Sequence, residues 1–113
     1  MHELGIAQGI LEAALEAAAR ERAERIVRLR VKVGELSGVV EEALRFAFEA
    51  ISAGTRAEGA RLEVEVIAVR CYCAQCQREF EAAPLRYECP LCGTPSGEVR
   101  AGRELALTEI EVN

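Results

Sequence analysis

Two pairs of cysteines, each with two residues between its members, constrain this chain more than any other feature. Cys73 and Cys76 form the first pair, and Cys89 and Cys92 form the second after twelve intervening residues. Four thiolates at this spacing are typical of a tetrahedral metal site, most often structural zinc. The surrounding segment has too few apolar residues to fold alone, so a bound ion would supply part of its stability.

The rest of the chain has the composition of one ordinary globular domain. Its 113 residues have room for one modest core, and its charged residues are interspersed with Val, Leu and Ile, which argues against disorder. The formal net charge of −5 argues against a protein that binds by neutralising phosphates. We therefore expect no nucleic-acid partner.

The N-terminal residues predict a cytoplasmic location. The sequence Met-His-Glu-Leu has no basic region and is not followed by an uninterrupted apolar segment. We therefore expect neither a secretory signal nor a membrane-spanning helix, and no membrane partner. Because cytosolic thiols stay reduced, five cysteines of which four form spaced pairs favour metal ligation over disulfides.

Hydrophobic periodicity predicts two helices. Apolar residues recur every three or four positions from about residue 4 to about residue 22, and again from Val40 to Ile51, with Gly54 placed to end the second helix. Glu41 and Glu42 lie at the start of the second helix, where acidic side chains interact favourably with its dipole. The predicted buried stripes are Leu4, Ala7, Leu11, Ala14 and Ala18 in the first helix, and Val40, Leu44, Ala47, Phe48 and Ile51 in the second.

Alternation of apolar and polar residues predicts three strands, at residues 26–33, 61–69 and 104–112. The outer side of the first strand is basic and that of the second is acidic, which favours their pairing in one sheet. A helix between two such strands predicts a right-handed parallel crossover. The predicted inward residues are Val27, Leu29, Val31 and Val33 in the first strand, and Leu62, Val64, Val66 and Ala68 in the second.

The third strand is less regular. Leu105 and Leu107 point to one side, whereas Ile110 and Val112 point to the other, so we expect a bulge near Thr108.

Together these elements predict an α+β fold, in which two helices pack on a small three-stranded mixed sheet with an inserted four-cysteine zinc lobe. The predicted domains are residues 1–69 with 94–113, and a lobe of residues 70–93 that leaves and rejoins the sheet at one edge.

The second cysteine pair is the better specified of the two. Pro90 fixes one backbone angle and Gly93 permits a positive φ, so backbone amides can turn toward the sulfur atoms. The first pair has Gln77 where the second has Gly93, and its turn is less well specified. The small apolar set expected around the metal is Phe80, Leu85 and Tyr87.

Four cysteine ligands leave no open coordination position, which favours a structural ion over a catalytic one. Cys71 is a fifth thiol, and we expect it to be a non-ligand because only Cys73 has the two-residue spacing to Cys76.

His2 is the only histidine of the chain. A histidine this close to a terminus is often simply mobile. Alternatively, a terminal amine, the next amide nitrogens and an imidazole can surround a square-planar ion, and such nitrogen coordination suits Ni(II) or Cu(II). The second interpretation requires Met1, His2 and Glu3 to lie outside the helix.

Several segments in a fixed order resemble the HypA/HybF family of nickel metallochaperones for hydrogenase maturation. The resemblance covers essentially the whole chain. Its segments are Met1-His-Glu-Leu4, Val33-Gly-Glu-Leu-Ser-Gly-Val39, Glu58-Gly-Ala-Arg-Leu-Glu63, Cys71-Tyr-Cys-Ala-Gln-Cys76, Cys89-Pro-Leu-Cys-Gly93 and a final Glu104-Leu with Ile110-Glu-Val112.

The resemblance implies a metal carrier and not an enzyme. It implies that Ni(II), the transported cargo, is bound by His2, the amine of Met1 and the backbone amide of Glu3. It also implies that Cys73, Cys76, Cys89 and Cys92 hold structural Zn(II). The implied partners are a GTPase of the hydrogenase maturation pathway and the large-subunit precursor of a [NiFe]-hydrogenase. Some members of the family also serve urease.

Two other functions remain open at the level of sequence. The first is a zinc-ribbon module that binds nucleic acid or a transcription complex, although the arginines of residues 70–93 are balanced by glutamates. The second is a thiol oxidoreductase, which would need exposed thiols of low pKa and no stoichiometric zinc. The sequence is compatible with either a monomer or a homodimer.

Overall fold

The computed structural model describes residues 3–82 and 86–113. Within these residues the chain forms two helices, six strands and a short 3-10 helix. The strands form two three-stranded sheets, of order β2-β1-β6 and β4-β3-β5. The elements in chain order are α1 (Glu3–Arg20), β1 (Ile26–Gly34), the 3-10 helix (Glu35–Ser37), α2 (Glu41–Ser52), β2 (Arg61–Ile67), β3 (Arg70–Cys73), β4 (Arg78–Glu81), β5 (Val99–Ala101) and β6 (Leu105–Val112).

The contacts divide the chain into two compact units. The helical unit comprises the chain up to Lys32, Gly38–Glu65 and Ala106–Asn113, and the cysteine unit comprises Val33–Ser37 and Val66–Leu105. The predicted fold class is confirmed: two helices accompany a three-stranded sheet, and a four-cysteine segment is inserted between β2 and β6. The predicted domains, residues 1–69 with 94–113 and residues 70–93, stay a prediction.

Helix α1 buries one side, formed by Ala7, Ile10, Leu11, Ala14 and Ala18. It ends at Arg20, two residues earlier than predicted, because Arg22 adopts a left-handed backbone conformation with φ of 54°. The amide of Ala23 then donates to the carbonyl of Ala18 at 2.9 Å, as in a Schellman motif. The first residue of the predicted stripe, Leu4, is 51% exposed and does not belong to the core.

Helix α2 buries Leu44, Ala47 and Phe48, as its periodicity predicts. Gly54 does not end the helix as predicted, because the C-cap residue Ala53 already has an extended backbone with φ of −58° and ψ of 133°. Gly54, with φ of +78°, lies in the following turn, which is closed by a hydrogen bond from the amide of Thr55 to the carbonyl of Ser52. Val40 was expected in the buried stripe, but it precedes the helix as its N-cap residue and is 59% exposed.

Charged residues link the three strands of the helical unit. Arg28 on β1 lies 2.9 Å from Glu63 on β2, which confirms the predicted neighbourhood of these strands. Arg28 also lies 3.1 Å from Glu111 on β6, a contact that the sequence analysis missed. Partial burial opposes ionisation of Glu63, but its hydrogen bond to Arg28 and the surrounding arginines outweigh this effect and lower its pKa.

The inward-facing residues of β1 and β2 agree only partly with prediction. Leu29, Val31, Val33 and Leu62 are buried, whereas Val27 and Val66 are 43% and 54% exposed. The prediction is wrong for these two valines. Period-two alternation assigns a side of the strand, but it does not reveal whether anything covers that side.

Strand β6 pairs with β1 on the side opposite β2, so the lobe does not leave and rejoin the sheet at one edge. At one end of this strand pair the amide of Gly34 donates to the backbone carbonyl of Glu104. At the other end the amide of Asn113 donates to the backbone carbonyl of Arg25. Eight residues lie between these two positions on each of the paired segments, so neither segment carries a net extra residue. The expected bulge near Thr108 is therefore wrong. The mixed pattern of β6 instead reflects an edge strand with little burial on either side.

Strand β3 is the centre of the second sheet, which the sequence analysis did not predict. It pairs antiparallel with β4 through Cys71 opposite Phe80, and antiparallel with β5 through Cys71 opposite Val99. The buried core of the cysteine unit consists of Val69, Cys71, Cys73, Phe80, Ala82 and Cys89.

Candidate metal centre

The sulfur atoms of Cys73, Cys76, Cys89 and Cys92 all lie within 4.8 Å of one another. The sulfur atoms of Cys73 and Cys92 are 3.6 Å apart, and those of Cys76 and Cys89 are 3.9 Å apart. A tetrahedral ion with zinc–sulfur bonds of about 2.3 Å requires its sulfur ligands to be about 3.8 Å apart. The arrangement therefore fits a tetrahedral ion bound by four thiolates.

Two similar turns position these sulfur atoms. In the first, the amide of Gln77 donates to the carbonyl of Cys73 at 2.7 Å, and in the second the amide of Gly93 donates to the carbonyl of Cys89 at 2.8 Å. Both turns end in a left-handed residue, with φ of 55° at Gln77 and 75° at Gly93. We call the turns of residues 73–77 and 89–93 the first and second knuckle. Gln77 thus adopts the conformation that Gly93 adopts without steric cost.

The strands hold the knuckles in place. Cys73 is the last residue of β3, and the first knuckle connects β3 to β4. Phe80 is buried in the core beside Cys71, Cys73 and Cys89, and Tyr87 packs against it. These two contacts confirm the apolar packing expected near the cysteines. Leu85, the third residue of that set, lies outside the described residues.

The surroundings shift the pKa of three clustered thiols, those of Cys76, Cys89 and Cys92, in different directions. Hydrogen bonds with the hydroxyl and the backbone amide of Thr94 lower the pKa of Cys92 to about 6. The backbone amides of Cys92 and Leu91 lower the pKa of Cys89. Contact with the other sulfurs, foremost that of Cys92, raises the pKa of Cys76 to about 12. A bound cation would favour the thiolate form of its ligands, so Cys76 would give up its proton on binding and the affinity would weaken as the pH falls.

Thr94 is a residue that the sequence analysis missed. Its hydroxyl oxygen lies 3.2 Å from the sulfur of Cys92. A hydroxyl residue two positions after a cysteine is too common to signal this contact by itself.

Cys71 is separate from the four-sulfur cluster. It is fully buried in the core of the cysteine unit, and burial raises the pKa of its thiol. The cluster found among the described residues does not include it.

Of the three residues implied in nickel binding, the structure describes Glu3 alone, the first residue of α1. Met1 and His2 lie outside the described residues, and the helix begins at Glu3. The expectation that Glu3 precedes the helix is therefore wrong. The carboxylate of Glu3 accepts a hydrogen bond of 3.0 Å from the amide of Val40, which ties the start of α1 to the residue before α2. Because the first amides of a helix do not donate within that helix, ligation by the Glu3 nitrogen is compatible with this position.

We expect Gln77→Gly to stabilise the metal-loaded protein by about 0.5–1 kcal/mol, because glycine adopts the left-handed conformation without the strain of a side chain. Chemical denaturation with metal present would measure the change. Gln75→Gly is the matched control, since Gln75 is exposed in the same turn and has a negative φ. Equal effects of the two substitutions would contradict the role assigned to the backbone of Gln77.

Ion pairs weigh against a nucleic-acid function for the cysteine unit. Arg70 lies 3.2 Å from Glu79, and Arg100 lies 3.6 Å from the same carboxylate and stacks on the ring of Tyr72. These arginines are neutralised by neighbouring glutamates and do not form a basic stripe. Of the described helices, neither is long and apolar enough to cross a membrane.

The fold and the four-thiolate cluster define a small metal-binding protein in which one unit carries a closed metal site. Comparison with known proteins specifies the class further. The family model described as "Hydrogenase/urease nickel incorporation, metallochaperone, hypA" matches residues 1–112. The chain belongs to the HypA family of nickel metallochaperones, which are maturation factors rather than enzymes.

Relatives and solved structures agree with this assignment. Hydrogenase maturation factor HypA of Picosynechococcus sp. is 48% identical over 112 residues, covering 99% of each chain, and that of Roseiflexus sp. is 43% identical, covering 98% of this chain and 91% of its own. The solution structure of the Ni metallochaperone HypA from Helicobacter pylori matches with a TM-score of 0.68 and 25% identity, over 99% of this chain and 97% of that one. A second solution structure of HypA matches with a TM-score of 0.74 and 25% identity, over 100% and 97%. The resemblance seen in the sequence is confirmed.

Proposed function

We propose that this protein is a cytoplasmic nickel carrier that binds Ni(II) through the imidazole of His2, the amine of Met1 and the backbone amide of Glu3. It hands the ion to the large-subunit precursor of a [NiFe]-hydrogenase, or to urease, together with a GTPase of the same maturation pathway. The observation that carries this proposal is the match of residues 1–112 to the nickel metallochaperone family, because the matched region includes His2, the only histidine.

The chemistry of these ligands supports a cargo site. Imidazole and amide nitrogens lose protons when they bind a metal, so affinity decreases steeply as the pH falls and protonation assists release. Nitrogen ligands in a plane suit Ni(II), and copper competes because the divalent order favours it. Selectivity for nickel then depends on metal availability and on contact with the receiving protein.

The position of Glu3 favours the same site. Its hydrogen bond to the amide of Val40 anchors the start of α1 at a fixed point of the helical unit. Met1 and His2 precede this anchor directly in the chain. Ligands attached next to an ordered residue lose less conformational entropy on binding than ligands on a long free tail.

The second part of the proposal is that Cys73, Cys76, Cys89 and Cys92 bind structural Zn(II). The supporting observations are the four-sulfur cluster and the near match of its contacts to a tetrahedron with zinc–sulfur bonds. Bound zinc would supply folding free energy and no open position for catalysis. One equivalent of zinc is expected in both the wild type and Cys71→Ser, and loss of zinc from this variant would overturn the ligand set.

We expect His2→Ala to abolish specific nickel binding while the zinc content and the helical circular dichroism stay unchanged. The substitution removes the only imidazole and leaves the cysteine unit intact. Titration of untagged protein with Ni(II), with zinc quantified in parallel, measures both. Gln8→Ala, at an exposed position of α1, is the control that should bind nickel normally.

An N-terminal extension of a few residues is an independent test, because it converts the amine of Met1 into an amide. Nickel affinity should fall in the extended protein although every side chain is retained. One-to-one nickel binding of unchanged affinity in either His2→Ala or the extended protein would refute the proposed site.

A further inference from the structure

The four clustered cysteines differ in their access to solvent. Cys92 is exposed and Cys76 is partly exposed, whereas Cys73 and Cys89 are 1% and 3% exposed. The residues next to Cys92 leave it open, since Leu91 is 64% exposed and Gly93 carries no side chain. A dissolved oxidant therefore meets the cluster at Cys92.

A second thiol lies within reach of Cys92. The sulfur of Cys73 is 3.6 Å away, and the other contact between the knuckles, from Cys76 to Cys89, is 3.9 Å. A disulfide bond is about 2.05 Å long, so small side-chain rotations would bring either pair together. Both contacts join one knuckle to the other.

We infer that the cluster is also an oxidation site, at which Cys92 reacts first with a peroxide and Cys73 then joins it in a disulfide, with release of the bound metal. The disulfide step rests on the positions of the thiols. The release of metal rests on the zinc site proposed above.

The chemistry has two steps, with hydrogen peroxide as the oxidant. The thiolate sulfur of Cys92 attacks one peroxide oxygen, forming an S–O bond and breaking the O–O bond, and hydroxide leaves and is protonated to water. The sulfur of Cys73 then attacks the sulfur of Cys92, forming the S–S bond and expelling the sulfenic oxygen as a second water. Two thiols are oxidised by two electrons in all, and one peroxide is reduced to two waters.

This reaction removes two of the four ligands at once. A disulfide sulfur is not a thiolate and no longer holds zinc in a tetrahedral site. Reduction of the disulfide by a dithiol regenerates both thiols, so the oxidation can be reversed by thiol–disulfide exchange. Oxidation thus couples the folding of the cysteine unit to the redox state of its surroundings.

Trypsin provides a direct readout of the pairing. Cleavage after Arg70, Arg78, Arg86 and Arg100 places Cys73 and Cys76 in the peptide 71–78, and Cys89 and Cys92 in the peptide 87–100. A disulfide between the knuckles joins these peptides, whereas a disulfide within either knuckle leaves them separate.

The experiment uses the full-length protein, with zinc quantified first. Limiting hydrogen peroxide is added, remaining thiols are alkylated, and monomer is isolated before digestion and mass spectrometry. We expect the joined peptides, with fragmentation locating the bond between Cys73 and Cys92, and zinc release in step with disulfide formation. Disulfides confined to single knuckles, or a bond that excludes Cys92, would overturn the inference.

Two variants test the order of the steps. In Cys73→Ser, the sulfenic acid of Cys92 loses the thiol that lies 3.6 Å away in the wild type, so dimedone should trap it at a higher yield than in the wild type. Cys71→Ser, which changes a buried thiol outside the cluster, should behave as the wild type. Because Cys73→Ser also removes a ligand of the proposed zinc site and is expected to unfold the cysteine unit, the peptide map of the wild type decides the pairing by itself.

The outcomes separate this inference from the proposed zinc site. Purified protein without zinc contradicts the zinc site, while the peptide map still tests the oxidation. Protein that holds zinc but yields no joined peptides contradicts the oxidation alone.

Discussion

Chelation of the metal is expected to unfold the cysteine unit and leave the helical unit folded. Three of the six residues in the buried core of the cysteine unit are cysteines, two of them members of the four-sulfur cluster. So small a core cannot offset the entropy of ordering its strands, whereas four-thiolate zinc binding contributes on the order of 10 kcal/mol. Cys73→Ser should have the same effect as chelation.

Circular dichroism can follow the two units separately. Both tyrosines, Tyr72 and Tyr87, belong to the cysteine unit, and the chain has no tryptophan. Both helices belong to the helical unit. We expect a strong chelator to remove the near-ultraviolet tyrosine signal while most of the signal at about 222 nm from the helices persists. A tyrosine signal that survives complete removal of zinc would contradict the role assigned to the metal. Cys71→Ser should show the same dependence on metal as the wild type.

Gly34→Ala is expected to destabilise the protein by about 3–5 kcal/mol, at the upper end of single substitutions. A Cβ atom at this position would overlap the carbonyl group of Gly102 and lie 2.6 Å from the amide nitrogen of Arg103. These are backbone atoms, which cannot rotate away as a flexible side chain can. The clash would also separate the amide of Gly34 from the carbonyl of Glu104, now 2.7 Å away, and that of Leu36 from the carbonyl of Gly102, now 2.6 Å away.

Urea denaturation of the metal-loaded protein would measure the loss. Gly97→Ala is the matched control, because a Cβ atom there meets no atom within 4 Å and the residue has no positive φ. Its effect should stay within about 0.5 kcal/mol of the wild type. A Gly34→Ala variant as stable as Gly97→Ala would refute the close approach of the two backbone segments.

The metal centre was the part of this protein most open to prediction. Cys73, Cys76, Cys89 and Cys92 form two local turns, and a two-residue spacing brings the sulfurs of each turn together whatever the rest of the chain does. Gly93 indicated one of these turns in the sequence, because glycine adopts a positive φ without steric cost. Gln77 takes the same conformation in the other turn, between β3 and β4, without any comparable signal in the sequence.

By itself, the sequence determined the two helices, the three strands β1, β2 and β6, and the grouping of the four cysteines. All of these follow from patterns within a few residues, such as the stripe of α1, the alternation of β1 and the paired cysteines.

Only the tertiary structure decided that β6 is the second neighbour of β1 and that Arg28 finds its second partner there. It also decided that Gly34 must be a glycine. Each of these depends on residues far apart in the chain, such as Gly34 and Gly102 or Arg28 and Glu111, and local periodicity carries no information about such contacts.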